Sequence, residues 1–509
     1  MATQSQAVGI TKYQLFCVLA ASVGSVNWGW TFGVTNIPGD VISKCAAGPS
    51  HLIGFLPSCI STSDNIWGLA VGCFALGCLV GALTSTYFSN RFGRKTVLVY
   101  SNIPAIVAAI LYGFAVNMAM VIVARLLSGI ALGSSLGTFT MYTVEITTPK
   151  ARNSLGGMAQ MAIIFGIMLS QTSSLGLSKP PLWRLLFAFS GVLSVLNMVL
   201  LYFCVESPRW LAMNGKLADA RDSLQRLRRG TDCTAEFEQL TSSVMINNTS
   251  ELASGDANNG SSTKTSSVID VMLGRTPDNL RHQLVVTIVV MASQQTSGIS
   301  GVSFYSSTLF KSISKPNESD AFTIPTLAQI LASVLAIAGT LVMPLCMVLA
   351  TYLGRRPLMI WSHTVMALCC VLISVGSIVG PNALTITMVF VYYAAFFVGP
   401  GPIPWVCPNE MTPTYAVGAI CAVGGSVNYV IIFVMGLVFS PLLDALGGYT
   451  FLIFGVANLL SALFCLFYLP ETKDCQVADV ARLHSVGLHS VLGAKYRIDP
   501  LKTTSEYLT

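Results

Sequence analysis

Charge is what this chain has least of. Only 10% of its 509 residues are Asp, Glu, Lys or Arg, against about 25% in a soluble domain, which excludes an ordinary soluble fold. Mean hydropathy is +0.68 and 53% of residues are hydrophobic, the composition of a protein whose solvent is a lipid bilayer. The five histidines are scattered. No metal-ligand cluster, phosphate loop or nucleophile constellation accompanies them, so no metal, cofactor or enzymatic activity is expected. Net charge is +6, but the basic residues sit in short clusters between apolar segments rather than in one patch, which excludes a nucleic-acid partner. No small-residue cleavage site follows the first apolar segment, from Tyr13, so it reads as a span rather than a signal peptide. Most of the 14 cysteines, such as Cys73, Cys78, Cys369 and Cys370, lie inside apolar segments, where they act as small hydrophobes. Cys45 and Cys59 share one polar loop and can pair if that loop is outside, which spacing alone does not establish.

Turning to what is there, apolar stretches of about 20 residues, long enough to span, fall near 13–37, 64–88, 96–117, 118–142, 153–178 and 182–205. Six more fall near 283–311, 324–350, 357–379, 384–407, 416–441 and 447–470. The pattern predicts an all-α membrane protein of two six-helix halves, 1–205 and 283–470, with a linker at 206–282 and a tail at 471–509. The linker opens with Arg209, Lys216, Arg221, Arg226, Arg228 and Arg229 at spacings that suit short amphipathic helices. Lys/Arg bias sets orientation. Arg91, Arg94, Lys95, Lys150, Arg152, Arg355 and Arg356 occupy one set of loops, while the other holds only Lys44, Lys179, Lys311 and Lys315. Both termini and the linker are therefore expected in the cytoplasm. The sequons at Asn247, Asn248 and Asn259 would then stay bare, and that at Asn317 would be open to glycosylation.

One apolar segment is interrupted. Phe396-Phe-Val-Gly-Pro-Gly-Pro-Ile-Pro-Trp405 carries Pro400, Pro402 and Pro404 with Gly399 and Gly401. Each proline removes a backbone donor and crowds the preceding turn, so no regular helix runs through. In hydrocarbon, freed carbonyls are tolerated only inside protein or beside a water-filled cavity. Packing of a kink is one reading; a broken helix beside a transport path is the other. Trp405, flat and amphipathic, suits a sugar face. An internal repeat adds to this: Asn90-Arg-Phe-Gly-Arg-Lys95 follows the second span and Tyr352-Leu-Gly-Arg-Arg356 the eighth. Repeated halves point to alternating access about a midplane site.

Taken in order, several pieces resemble the sugar porters of the major facilitator superfamily. They are Arg91-Phe-Gly-Arg-Lys95, Arg125, Glu145-x6-Arg152, Gln160 through Gln171, and Glu206-Ser-Pro-Arg-Trp210. Then come Gln294-Gln-Thr-Ser-Gly-Ile299, Gly399 through Trp405, Asn428-Tyr429 and Pro470-Glu-Thr-Lys473. Gly29-Trp-Thr-Phe-Gly-Val-Thr-Asn-Ile-Pro38 looks more like the facilitative glucose transporters than the symporters. The resemblance implies a hexose or related polyol as substrate. It implies contacts from the amides of Gln160, Gln294, Gln295 and Asn428, with Ser300, Ile163, Ile167 and Trp405. Interhelical hydrogen bonding is the plainer role for such amides, and Gln294 and Gln295, being adjacent, cannot face the same way. It also implies a cytoplasmic gate of Arg91, Arg94, Glu145, Arg152, Arg355, Arg356 and Glu410, with Arg125 near the cytoplasmic end and paired with it.

The departures matter as much. Ser300 and Gly339 stand where the family has Asn, Phe397 where glucose carriers have Glu, Val417 where the gate has Arg, and Thr351 where it has Glu. Proton-coupled relatives carry an Asp where this chain has Thr31, and coupling needs a group that gains and loses a proton inside the membrane. Facilitated diffusion is therefore the first reading. A proton symporter and a non-transporting sensor or trafficking factor are the rivals. The family's usual address is the plasma membrane, with a vacuolar or other internal membrane as the alternative. Oligomeric state is not legible.

Overall fold

The computed structural model describes residues 11–45, 52–53, 56–148, 157–228, 233–242, 280–314, 327–380, 382–413 and 416–473. Arg152, Lys150, Lys315, Arg229 and the sequons at Asn247, Asn248, Asn259 and Asn317 lie outside the described residues.

Three helix starts in the first half carry side-chain caps. Thr11 accepts from the Gln14 amide at the head of α1 (Lys12–Gly33), Ser63 from Ile66 at α2 (Asp64–Phe92), and Asn117 from Met120 at α4 (Met118–Ile146). Between them, α3 runs over Arg94–Gly113. The first half closes with α5 (Met158–Leu177) and α6 (Trp183–Tyr202). In the second half α7 is broken into Arg281–Thr296 and Ile299–Ser314, with Gly298 at φ +96° between them. Then come α8 (Leu327–Leu353) and α9 (Arg355–Val379), followed by α10, split into Asn382–Val398 and Ile403–Met411. The last apolar run, Val417–Tyr468, divides into α11 (Val417–Leu446) and α12 (Thr450–Tyr468). Among the described residues, eleven continuous apolar runs thus make twelve membrane-length helices, the architecture expected.

Without a hydrophobic force between helices in lipid, small residues let backbones approach. A β-carbon at Gly77 on α2 would lie 2.2 Å from the Leu126 carbonyl oxygen of α4, and one at Gly29 on α1 would lie 1.9 Å from that of Ile163 on α5. Past α6, Pro208–Met213, Leu217–Leu227 and residues 234–242 form short helices. The second buries Ala220, Ser223, Leu224 and Leu227, one face of a helix.

How the halves meet positions the site. A large apolar cluster draws on both, joining Trp28, Phe32, Ile163 and Ile167 to Ile299, Phe304, Tyr305 and Tyr429. Toward the face that bears the termini, the clusters separate. One holds Cys17, Phe139, Tyr142 and Leu201 of the first half; two others hold Val290, Met359 and Cys407, and Leu284 and Ile420, of the second. The halves therefore close at the far face and part at the terminal one.

Candidate functional site

The break in α10 is held open by named donors. Pro402 lacks the amide that would bond the Val398 carbonyl, and the Cys346 thiol donates to it instead at 2.9 Å. Pro404 leaves the Pro400 carbonyl free. Gln294 Nε2 of α7 donates to it at 2.9 Å and to the Gly401 carbonyl at 2.6 Å. The break is thus a docking point for Gln294, and both donor hydrogens of that amide are taken.

Around Gln294 the predicted amides converge, and Gln295 joins them despite being the adjacent residue, which corrects the expectation that the two face apart. Asn428 Nδ2 of α11 donates to Gln294 Oε1 at 2.7 Å and to the Met291 carbonyl at 3.0 Å. Gln295 Nε2 donates to Asn428 Oδ1 and Gln294 Oε1, both at 3.3 Å, and Ser300 Oγ donates to Gln295 Oε1. Gln294 and Asn428 are satisfied by protein; the two long bonds from Gln295 exceed the usual 2.7–3.2 Å range for such bonds. Its amide is the group most readily turned to a ligand. Trp405 is half-buried beside Gly425, 3.9 Å from a β-carbon built there, and packs on the same cluster as Ile163 and Ile167. Gln160, near the start of α5, is partly exposed, and no described residue hydrogen-bonds its side chain.

The far face is closed by Asn36, Ser306 and Ser307, to which sequence reasoning gave no role, and by Lys311, which it placed there by charge bias alone. Asn36, just past α1, donates to Gln171 Oε1 at 2.8 Å and across the halves to Ser306 Oγ at 2.6 Å. Its own oxygens accept from Ser307, whose amide donates to Asn36 Oδ1 at 3.1 Å and whose hydroxyl donates to the Asn36 carbonyl at 2.9 Å. Lys311 meets Asp40 at 2.6 Å and Phe32 meets Phe304 at 4.3 Å between ring centroids. Nearby, Cys45 and Cys59 form a disulfide.

At the terminal face each half carries its own latch, built to one plan. Arg94 grips Glu145 with two bonds, at 2.9 and 3.0 Å, and donates to the Ser89 carbonyl. Glu206 accepts the amides of Arg94 and Lys95 at 2.9 Å each, and Ser207 donates to Glu145. In the second half Arg355 meets Glu410 at 2.7 Å and donates to the Ala350 carbonyl. Glu471 accepts the Arg355 and Arg356 amides at 3.0 and 3.2 Å, and Thr472 donates to Glu410. Gly93 (φ +102°) and Gly354 (φ +90°) occupy matching turns, and a β-carbon at either would lie 2.4 Å from a Glu206 or Glu471 carboxylate oxygen. Glu206 and Glu471 belong to the latch, and the Glu-Ser and Glu-Thr pairs after the sixth and twelfth spans were their signal. Arg91 is exposed and turns to the Tyr87 hydroxyl at 3.0 Å, away from Glu145.

Arg125 corrects an expectation. It stands about twenty residues, roughly 30 Å of helix, from Glu145 along α4 and does not join the latch. Fully buried, it donates to the backbone oxygens of Thr31 (2.5 Å), Ala70 (3.2 Å) and Val71 (3.1 Å) and lies 4.9 Å from the Phe74 ring.

This arrangement can be set beside known proteins. The profile of the family described as "Sugar (and other) transporter" matches residues 17–483. The chain belongs to that family. Among this transporter's relatives is the facilitated glucose transporter member 3 of solute carrier family 2 from Oryctolagus cuniculus, 31% identical over 493 residues, covering 93% of this chain and 92% of the relative. Its Mus musculus counterpart is 31% identical over 497 residues, at 95% of each. Member 1 from Gallus gallus is 30% identical over 485 residues, at 93% of each. Among solved structures, the proton:xylose symporter XylE bound to 6-bromo-6-deoxy-D-glucose superposes with a TM-score of 0.69 at 22% identity, covering 92% of this chain and 99% of that one. An inward open conformation of XylE from E. coli gives 0.70 at 20% identity, covering 92% and 100%. These structural likenesses carry the fold.

Proposed function

We propose that this transporter moves a monosaccharide or related polyol down its gradient by alternating access, without a coupling ion. The observation that carries the uniport reading is the environment of Arg125. Its donors go to backbone carbonyls of Thr31, Ala70 and Val71, and Thr31 occupies the position where proton-coupled porters carry Asp. A buried guanidinium paired with dipoles rather than a carboxylate offers no group to load and unload a proton. Among the described residues, every Asp and Glu in α1–α12 lies near a helix end.

In this reading Gln295, Gln160 and Ser300 bond hydroxyls, Asn428 holds the Gln294 and Gln295 amides in place, Trp405 lies against the ring, and Ile163 and Ile167 supply apolar contact. Gln294 ties the α10 break to the site. Closure through Asn36, Ser306, Ser307 and Lys311 on one face, with separate apolar clusters on the other, is an arrangement open toward the termini. Two observations favour cytoplasmic termini: the Lys/Arg bias, and a disulfide on the far face, which belongs in an oxidising compartment. The plasma membrane is the first placement.

The test is uptake by purified protein in liposomes under an imposed pH gradient. Labelled hexose should equilibrate and never exceed the external concentration. Accumulation that follows the gradient, or proton entry recorded by a trapped dye on adding sugar, would establish symport instead.

A further inference from the structure

Two departures from the family pattern touch each other. A β-carbon at Gly339 on α8 would lie 2.5 Å from Cε2 of Phe397 and 2.8 Å from Cε1 of Tyr393. The ring of Phe397 lies where any side chain at 339 would have to go. On its other edge the same ring reaches the α10 break, where a β-carbon at Gly401 would lie 3.4 Å from Phe397 Cδ1. Gly401 is the residue whose carbonyl holds Gln294 at 2.6 Å. Phe397 therefore bridges α8 to the backbone that anchors the amide network. It is 3% exposed, and edge-on contacts with Tyr393 (4.9 Å) and Phe396 (5.2 Å) fix its orientation. Hydrocarbon thus fills the seam between α8 and the α10 break, at the two positions where the resemblance implies Asn and Glu.

We infer that Gly339 and Phe397 are a matched pair that sets specificity, turning the α8–α10 wall of the site from hydrogen-bonding to aromatic. The substrate it suits is a monosaccharide with one hydroxyl fewer on the edge that meets this wall, a deoxyhexose. A hydroxyl aimed at the ring finds no partner, whereas a C–H or methyl edge loses nothing. Apolar pockets of this kind discriminate by up to about a hundredfold, not more. The inference rests on the sugar-carrier reading above.

The experiment is exchange of labelled D-glucose and its 2-, 3- and 6-deoxy analogues in proteoliposomes. Wild-type protein should exchange at least one deoxy analogue about tenfold better than glucose, and the double variant Gly339→Asn/Phe397→Glu should reverse that order. A second arm reads the pair without transport. Gly339→Ala alone should lower the thermal midpoint of the purified protein, and Phe397→Leu added to it should restore most of the loss. Glucose preferred over every deoxy analogue, with an order the double variant leaves unchanged, overturns the inference while the carrier reading stands. So does Gly339→Ala tolerated with Phe397 in place. Exchange of no sugar by folded wild-type protein overturns the carrier reading, and this inference with it.

Discussion

Replacing Gln294 and Gln295 in turn by Leu separates a structural amide from a binding one, although the residues are neighbours. Gln294→Leu keeps the volume but strips the donor from two carbonyls, Pro400 at 2.9 Å and Gly401 at 2.6 Å, in a buried setting. An orphaned buried polar group costs about 1–3 kcal/mol, so the pair costs about 2–6 kcal/mol. Valued instead as interhelical hydrogen bonds of about 0.6 kcal/mol each, the two still come to about 1 kcal/mol, which sets the floor. Gln295→Leu removes two bonds of 3.3 Å, weak by geometry, and leaves the Ser300 hydroxyl to find another acceptor. Its stability cost should stay near or below 1 kcal/mol, while a sugar hydroxyl loses its amide partner. Fluorescence-detected size exclusion after heating reads the first effect, and quenching of tryptophan emission by added sugar reads the second. Gln294→Leu should melt well below wild type. Gln295→Leu should melt close to it and bind at least tenfold more weakly. Equal melting of the two variants, or sugar binding by Gln295→Leu at wild-type strength, would refute the division of labour.

The two latches differ in burial, and their variants should differ accordingly. Glu145→Ala strands Arg94, whose side chain is 6% exposed, and should cost about 3–5 kcal/mol; Glu410→Ala faces an Arg355 that is 21% exposed and should cost about 1 kcal/mol or less, both read by unfolding in detergent. Asn36→Ala removes the bonds to Gln171, Ser306 and Ser307 and should raise labelling of far-face cysteine reporters by an impermeant maleimide severalfold; unchanged labelling would show that the closure rests elsewhere. Restoring the latch residues the family carries, with Val417→Arg and Thr351→Glu together, should shift accessibility away from the terminal face, by about 1 kcal/mol per exposed pair gained; an unchanged ratio sinks that idea. Cys59→Ser opens a loop of sequence separation 14 and should lower stability by about 3 kcal/mol, an effect dithiothreitol should reproduce on wild type.

What could be read in advance was what is local or periodic. Twelve apolar runs, and three prolines within five residues, state helices and a break without reference to anything distant. Even so, they gave the break a location and not its partners. That Cys346 and Gln294 would take the carbonyls of Val398 and Pro400 depends on α7, α8 and α10 meeting in space. Arg125 shows the same limit from the other side. Its charge announces a need for partners, but those partners are backbone oxygens of Thr31, Ala70 and Val71, which no residue identity reveals. The resemblance brought it to the latch; its position along α4 takes it away. Asn36 stood inside the Gly29–Pro38 stretch with nothing local to mark its role. Only closure of the two halves makes it a clasp between Gln171 and Ser306.

The most direct measurement is equilibrium exchange of a labelled monosaccharide by the purified protein in liposomes, comparing wild type with Gln295→Leu and Trp405→Ala. The account predicts saturable exchange in wild type with no ion gradient, and loss of at least nine-tenths of it in each variant although both remain folded. Exchange that survives both substitutions would place the sugar site elsewhere, and folded wild-type protein that exchanges no monosaccharide would contradict the account at its root.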